Sequence, residues 1–255
     1  GYRATTFKSW TPFPAIPNDI DVIILDELNR REFRKLIQVL VKKYGYQVFD
    51  VIPYAVSIHD SRCGSHLNPR AKDPYDIDLY LEVAANNIIY IDKRLLKRQL
   101  REISIDHVIQ LYTLSDEHEL LVQLTHSAIP EQIFLLYHYY IVIYLLSDIS
   151  FEVLKEAVKR AYSTRIVAST LNLALDLLNI IRNGTIEENK HKVKEFLNRG
   201  YYRFKINELF KCVAEKFSDR RFTRSFAEQI VSLLKPTTLC HVAQELASRR
   251  IRTTY

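Results

Sequence analysis

Two pairs of aspartates stand in the same frame, Asp19-Ile-Asp21-Val and Asp76-Ile-Asp78-Leu. If each segment is extended, side chains two residues apart leave the backbone on the same side, about 7 Å apart. Two carboxylates fixed on one strand repel each other. They are tolerable at an accessible strand mouth, and a divalent cation that takes oxygen donors from both turns the repulsion into affinity. Should the two strands be neighbours in one sheet, three or four carboxylates converge, as two-metal phosphoryl transfer requires. One Asp-x-Asp is a weak signal. Two copies, each preceded by a loop residue next to a proline, carry more weight. The bland alternative puts Asp76 and Asp78 on an edge strand, where charge discourages sheet-to-sheet aggregation.

The elements that must position these residues follow from periodicity. A β-branched strand is expected over 19–25, followed by an amphipathic helix over 27–44 with Leu28, Phe33, Leu36, Ile37, Leu40 and Val41 on one face and Gly45 as its stop. Strands over 46–52 and 55–58 break at Pro53, and 59–74 reads as a loop. A strand is expected over 76–83, a short helix over 93–103, a strand over 106–112 and a helix over 115–126 with Ser115 as its cap. Beyond residue 130 no strand is expected, only helices near 131–146, 150–162, 164–182, 187–198, 205–217, 222–234 and 238–250. The fold class is therefore α+β: a mixed sheet with flanking helices over 1–128, then an all-helical, basic domain over 129–255.

Charge separates the same halves. Residues 1–128 hold 16 Lys and Arg against 17 Asp and Glu, so the net +6 of the chain belongs to the second half. From Lys190 onward 15 basic residues face 6 acidic ones, Arg220, Arg221, Arg224, Arg249, Arg250 and Arg252 among them, and this suggests a polyanion such as RNA as partner. A solvated, thermophile-like surface is the competing explanation. Only 5 glycines, with abundant Ile, Leu, Tyr, Arg and Lys, suit a thermophilic source. Methionine is absent, so a truncated N-terminus or lost methionine positions is expected, and the spacings carry that proviso. The apolar stretches 133–146 and 166–181 are too interrupted for a membrane span. No signal segment opens the chain, which points to a cytoplasmic protein without a membrane partner.

Other chemistry is poorly supported. Cys63, Cys212 and Cys240 fit neither a disulfide framework nor a zinc pattern. The eight histidines lack paired zinc spacing, and His118 and His126, two turns apart on one helix, read as packing or surface residues. Ser65 and His66 are adjacent, which no hydrolase triad permits. The run Phe134-Leu-Leu-Tyr-His-Tyr-Tyr reads as helix core rather than a base-stacking platform.

The frame Asp-apolar-Asp-apolar entering a strand, then a helix, then another acidic strand, resembles the polymerase-beta-type nucleotidyltransferase superfamily. Gly1-Tyr-Arg-Ala-Thr-Thr with Pro17-Asn-Asp-Ile-Asp-Val-Ile-Ile, and Leu114-Ser-Asp-Glu-His-Glu-Leu-Leu with His126-Ser127, resemble its AbiEii-like prokaryotic branch, with Pro17 where that branch carries Thr. The resemblance implies a nucleotidyltransferase-like sheet over about residues 1–145, with Mg²⁺ or Mn²⁺ as cofactor and a nucleoside triphosphate as substrate. It implies transfer of a nucleoside monophosphate, for example from ATP, to a hydroxyl of RNA, protein or a small molecule. In the preferred register Asp19, Asp21 and Asp78 are catalytic, with Asp76 a further metal ligand. A second register takes Gly64-Ser65, ten residues and then Asp76-Ile-Asp78 as the signature, with Asp106 as third carboxylate. Gly64 and Ser65 would then cradle the triphosphate, with Arg70 and Lys72 nearby. The alternative function is a catalytically inactive descendant of the fold whose basic helical half binds nucleic acid or a partner protein.

Overall fold

The computed structural model describes residues 2–8, 19–60, 76–85, 87–105, 109–184 and 190–234. It is mixed α+β, with a seven-stranded mixed sheet and, among the described residues, nine helices. The first half contains β1 (Ala4–Thr6), β2 (Asp19–Ile24), α1 (Arg30–Tyr44), β3 (Tyr46–Ile52), β4 (Ala55–Asp60), β5 (Asp76–Tyr80), β6 (Val83–Ala85), β7 (Ile88–Ile91), α2 (Lys93–Leu96), β8 (Leu100–Ile105), β9 (Ile109–Leu114) and α3 (Asp116–Ala128). The second contains β10 (Ile133–Leu135), α4 (Leu136–Leu145), α5 (Phe151–Arg160), α6 (Thr164–Asn183), α7 (Lys190–Arg199), β11 (Tyr201–Arg203), α8 (Ile206–Lys216) and α9 (Arg220–Leu233). The large sheet runs β3-β4-β5-β2-β1-β9-β8.

Local chemistry sets the helix that follows β2. The Asn29 side chain accepts hydrogen bonds from the Arg31 and Glu32 amides, and the Glu32 carboxylate accepts one from the Asn29 amide, a reciprocal capping box. That cap starts α1 at Arg30, three residues later than periodicity suggests. Gly45, at φ 76°, ends it in the left-handed region that glycine enters without penalty. Phe33 and Ile37 bury against Val22, Ile24, Val56, Ile58, Ile77 and Leu79, one face of the sheet. The opposite face contributes Ile23, Leu25, Ala55 and Tyr80 to a larger core, which continues through Leu120, Leu121 and Leu124 of α3 to Val193, Phe196 and Cys212 in the second half.

Several elements depart from the sequence reading. Only Lys93–Leu96 of the expected helix over 93–103 is helical. Leu100–Ile105 pairs antiparallel with β9, so strand pairing overrides local helix propensity; of the strand expected over 106–112, residues 109–112 are in β9, which continues to Leu114, and 106–108 lie outside the described residues. The three-residue β1, which pairs with both β2 and β9, is too short to show a period. The expected strand over 76–83 stops at Tyr80, and 83–85 turns back against β7 through Asn87 at φ 66°. Strands also occur beyond residue 130, contrary to expectation. β10 and β11 form a two-stranded antiparallel sheet inside the mostly helical half, each only three residues long. By length and composition α6 could cross a membrane. Here its Ile166, Val167, Thr170, Leu173, Ala174 and Leu177 recur every three or four residues and bury in the core, as a packed amphipathic helix does.

Candidate functional site

β2 and β5 are neighbours and run parallel, with Asp19 opposite Asp76 and Asp21 opposite Asp78. Directly opposed residues on neighbouring strands project to the same face. Since Ile77 and Leu79 pack toward α1, Asp76, Asp78 and Tyr80 face the other way, and Asp21 faces with them. β4 adds Ser57 opposite Asp78 and His59 opposite Asp76. β5 therefore lies inside the sheet, flanked on both sides, which removes the edge-strand explanation for its aspartates. Gly64, Ser65, Arg70, Lys72 and Asp106 lie outside the described residues, as does the Asp19 side chain.

Asp21 is buried, 9% exposed, beside the Lys8 ammonium. Lys8 Nζ sits 3.0 Å from Asp21 Oδ1 and donates to the Tyr80 hydroxyl at 3.4 Å. It also lies over the Phe7 and Tyr80 rings at 4.9 and 4.7 Å. Its backbone holds φ 60°, a left-handed conformation that costs a residue with a Cβ about 1–2 kcal/mol. Surrounding bonds fix it there: the Lys8 amide donates to Glu119 Oε1 at 3.0 Å, and the Lys8 carbonyl accepts from Gln123 Nε2 at 3.0 Å. Ser57 Oγ donates to Asp78 Oδ1 and orients that carboxylate. Burial, together with the Asp21 and Asp78 charges, holds the Tyr80 phenol far above its ordinary range, so it stays a neutral donor.

Of these groups Lys8, Asp21, Tyr80 and Gln123 line an open cavity of about 350 Å³, whose far wall is built by α3, Glu131 and α4. His126 shares a 2.9 Å hydrogen bond with the Tyr90 hydroxyl through Nδ1, and its Nε2 lies 3.2 Å from Glu131. His138 Nε2 lies 3.5 Å from the other Glu131 oxygen, while its Nδ1 accepts from the Leu135 amide. Burial alone would raise the Glu131 carboxyl, but the hydrogen bond from His126 and the two imidazoles outweigh it and leave it below its ordinary value. Burial pushes His138 down to about 4, so it is neutral at physiological pH. Burial also pushes Glu119 up to about 7, against the bonds from Gln123 and the Lys8 amide.

From sequence, His126 is expected to be a packing or surface residue and Tyr137 and His138 helix core, whereas all three line the cavity; Lys8, Gln123 and Glu131 were not singled out. A signal was available, since Glu119, Gln123 and His126 recur at helical spacing on α3. His118 behaves as a packing residue, buried and bonded to Ser115 Oγ at 2.9 Å. In the aromatic run, Phe134 and Tyr139 are core, while Tyr137 and His138 line the cavity and Tyr140 is exposed.

Among the described residues no three His, Cys, Asp or Glu side chains already gather closely enough to hold a cation. The donor set nonetheless suits a hard cation in kind, because Asp21 and Asp78 offer carboxylate oxygens side by side on a rigid sheet. Lys8 supplies the counter-charge at Asp21, so a cation binding there must share or displace that ammonium.

Much of the positive charge after residue 190 is committed internally. Lys192 pairs with Glu208, Arg199 with Glu195 and Arg224 with Glu228, while Arg221 bridges Glu82 and Asp92. Lys216 is fully buried and donates to the Tyr90 and Ala161 carbonyls. Arg249, Arg250 and Arg252 lie outside the described residues. No protein-family model matches the chain, and neither does any curated protein.

Proposed function

We propose that the chain is a metal-dependent nucleotidyltransferase of the polymerase-beta type, with a basic, largely helical second half. It transfers a nucleoside monophosphate from a nucleoside triphosphate to an acceptor hydroxyl. The observation that carries this reading is the parallel, in-register pairing of the two Asp-Ile-Asp strands, which sets Asp21 beside Asp78 on one face of the sheet, with Asp21 lining an open cavity. Asp19, Asp21 and Asp78, with Asp76, would hold Mg²⁺ or Mn²⁺. Bound there, the cation supplies charge neutralisation for the triphosphate and activates the acceptor hydroxyl.

The rest falls to the protein. Ser57 fixes the Asp78 carboxylate. Lys8, 3.0 Å from Asp21 and held by its two backbone bonds, is the positive group at hand for a triphosphate oxygen. The acceptor oxygen bonds to the α-phosphorus, the bond to the β-phosphate breaks, pyrophosphate leaves, and the hydroxyl proton passes to a site carboxylate. RNA, a protein hydroxyl and a small molecule all satisfy this chemistry as acceptor.

One observation favours the second reading, an inactive scaffold: the Lys8–Asp21 pair already neutralises part of the site. Calorimetric titration with a nucleoside triphosphate, with and without Mg²⁺, separates the two. An enzyme binds in a Mg²⁺-dependent manner that Asp78→Asn abolishes. A scaffold shows no Mg²⁺-dependent binding in either protein.

A further inference from the structure

A second concave site lies at the other end of the same strands. Asp76 and Asp78 open β5, whereas Glu82 follows its end, about 13 Å further along the strand direction at the usual rise per residue. There a cavity of about 740 Å³ is lined by Arg30, Tyr54, Glu82, Arg220, Arg221 and Arg224, among others. That volume suits a ligand of nucleotide size.

The charges of this cavity fall into two groups. Arg221 is engaged, donating to Glu82 Oε1 at 2.7 Å and to Asp92 Oδ1 at 2.8 Å, and Arg224 pairs with Glu228 at 3.0 Å. Arg30 and Arg220 are exposed and have no carboxylate partner among the described residues. The Arg30 guanidinium lies over the Tyr54 ring at 5.3 Å, so cation and aromatic face form one platform. Glu82 is 7% exposed, and its Oε2 accepts no hydrogen bond from the described residues. A buried acceptor left unpaired is costly, and it marks where a donor from outside fits. Burial raises the Glu82 carboxyl above its ordinary value despite Arg221, which agrees with that unmet demand.

Three demands therefore meet in one cavity: two guanidinium groups without a described carboxylate partner for an anion, the flat surface of the Arg30 guanidinium stacked on Tyr54 for a planar group, and a carboxylate oxygen for an O–H or N–H donor. A nucleoside phosphate supplies all three, through its phosphate, its base and its ribose hydroxyl. We infer that this cavity is a nucleotide-binding site, distinct from the carboxylate site and independent of divalent cations. Its occupant is either a free nucleotide or one nucleotide of a single-stranded RNA, since both present the same chemistry. The inference does not depend on the nucleotidyltransferase reading.

The test is calorimetry on the whole chain in EDTA, titrated in turn with AMP, a single-stranded RNA hexamer and inorganic phosphate. Saturable binding of AMP or RNA is expected. The double variant Arg30→Ala/Arg220→Ala should weaken it tenfold or more, and Tyr54→Leu by a smaller factor, while Asp78→Asn leaves it unchanged. All three altered arginine and tyrosine positions are at least partly exposed, and circular dichroism confirms that the variants fold. Tighter binding of the hexamer than of AMP identifies RNA as the source, and equal or weaker binding identifies the free nucleotide. Absence of binding by AMP and RNA, unaltered binding in the double variant, loss in Asp78→Asn, or equal affinity for inorganic phosphate overturns the inference.

Discussion

The two ends of β2 and β5 treat charge differently. At one end Asp21 and Asp78 share a sheet face with Asp76; the Lys8 ammonium pairs with Asp21, the Ser57 hydroxyl donates to Asp78, and Asp21 lines an open cavity. At the other, Glu82 and Asp92 meet the two arms of the Arg221 guanidinium, whose planar fork matches a pair of carboxylates. In the second arrangement the Arg221 bridge neutralises charge and ties α9 to the segments that follow β5 and β7, so Arg221 is structural, while Arg30, Arg220 and Tyr54 of the same cavity remain for a ligand. The first accumulates one sign of charge on a rigid surface, which costs stability and is retained where a ligand uses it. Sequence distance does not separate the two kinds, since Asp78 and Glu82 are on one short segment.

Substitution should separate function from stability at the two ends. The largest effect is expected from Asp78→Asn, which should lower nucleotidyl transfer about a thousandfold or more, equivalent to about 4 kcal/mol of transition-state stabilisation. Its melting temperature should stay level or rise, because a repelling carboxylate is lost and Ser57 still has an oxygen to donate to. A drop in melting temperature without loss of activity would merge the two ends into one structural class. Arg221→Ala should do the reverse, costing about 2–4 kcal/mol in urea unfolding because it strands the buried Glu82, with the effect reduced by partial exposure of the guanidinium.

Glu119 offers a third contrast, through pH. Its folded pKa of about 7 lies above the ordinary 4.5, so between those values the folded protein binds more protons than the unfolded chain. Stability conferred by the protonated carboxyl is complete below about 4.5 and is lost as pH rises through 7. Glu119→Gln should remove that slope and raise stability at pH 8 by about 1–3 kcal/mol, read from urea midpoints across pH. An unchanged slope would show that Glu119 is ionised in the fold. The smallest effect belongs to Arg224→Ala: its pair with Glu228 is largely exposed, and unfolding should shift by less than about 0.5 kcal/mol.

What sequence conveyed follows from length and locality. α1 was legible because its apolar stripe and Gly45 are local signals, though the Asn29 cap that sets its start was missed, β2 because of its β-branched run, and β5 because its polar and apolar residues alternate. The three-residue strands β1, β10 and β11 carry no period and form only because partners distant in sequence supply their hydrogen bonds. For the site, the two Asp-Ile-Asp frames showed which carboxylates share a face but not that β2 and β5 are neighbours. Lys8 was hidden because nothing near it in sequence indicates that a left-handed backbone and Glu119, 111 residues away, hold its ammonium on Asp21. Charge counting likewise overstated the free positive surface after residue 190, because it cannot see that Arg221 and Lys216 are consumed within the fold.

Whether the carboxylate face of β2 and β5 binds a divalent cation used in nucleotidyl transfer is decided by Mn²⁺ titration of the whole chain followed by electron paramagnetic resonance. Saturable loss of the free Mn²⁺ signal is expected, with the bound Mn²⁺ displaced by excess Mg²⁺ and the binding weakened tenfold or more in both Asp21→Asn and Asp78→Asn. Mn²⁺ binding that neither substitution alters, or no binding at millimolar Mn²⁺ with nucleoside triphosphate present, would contradict that expectation.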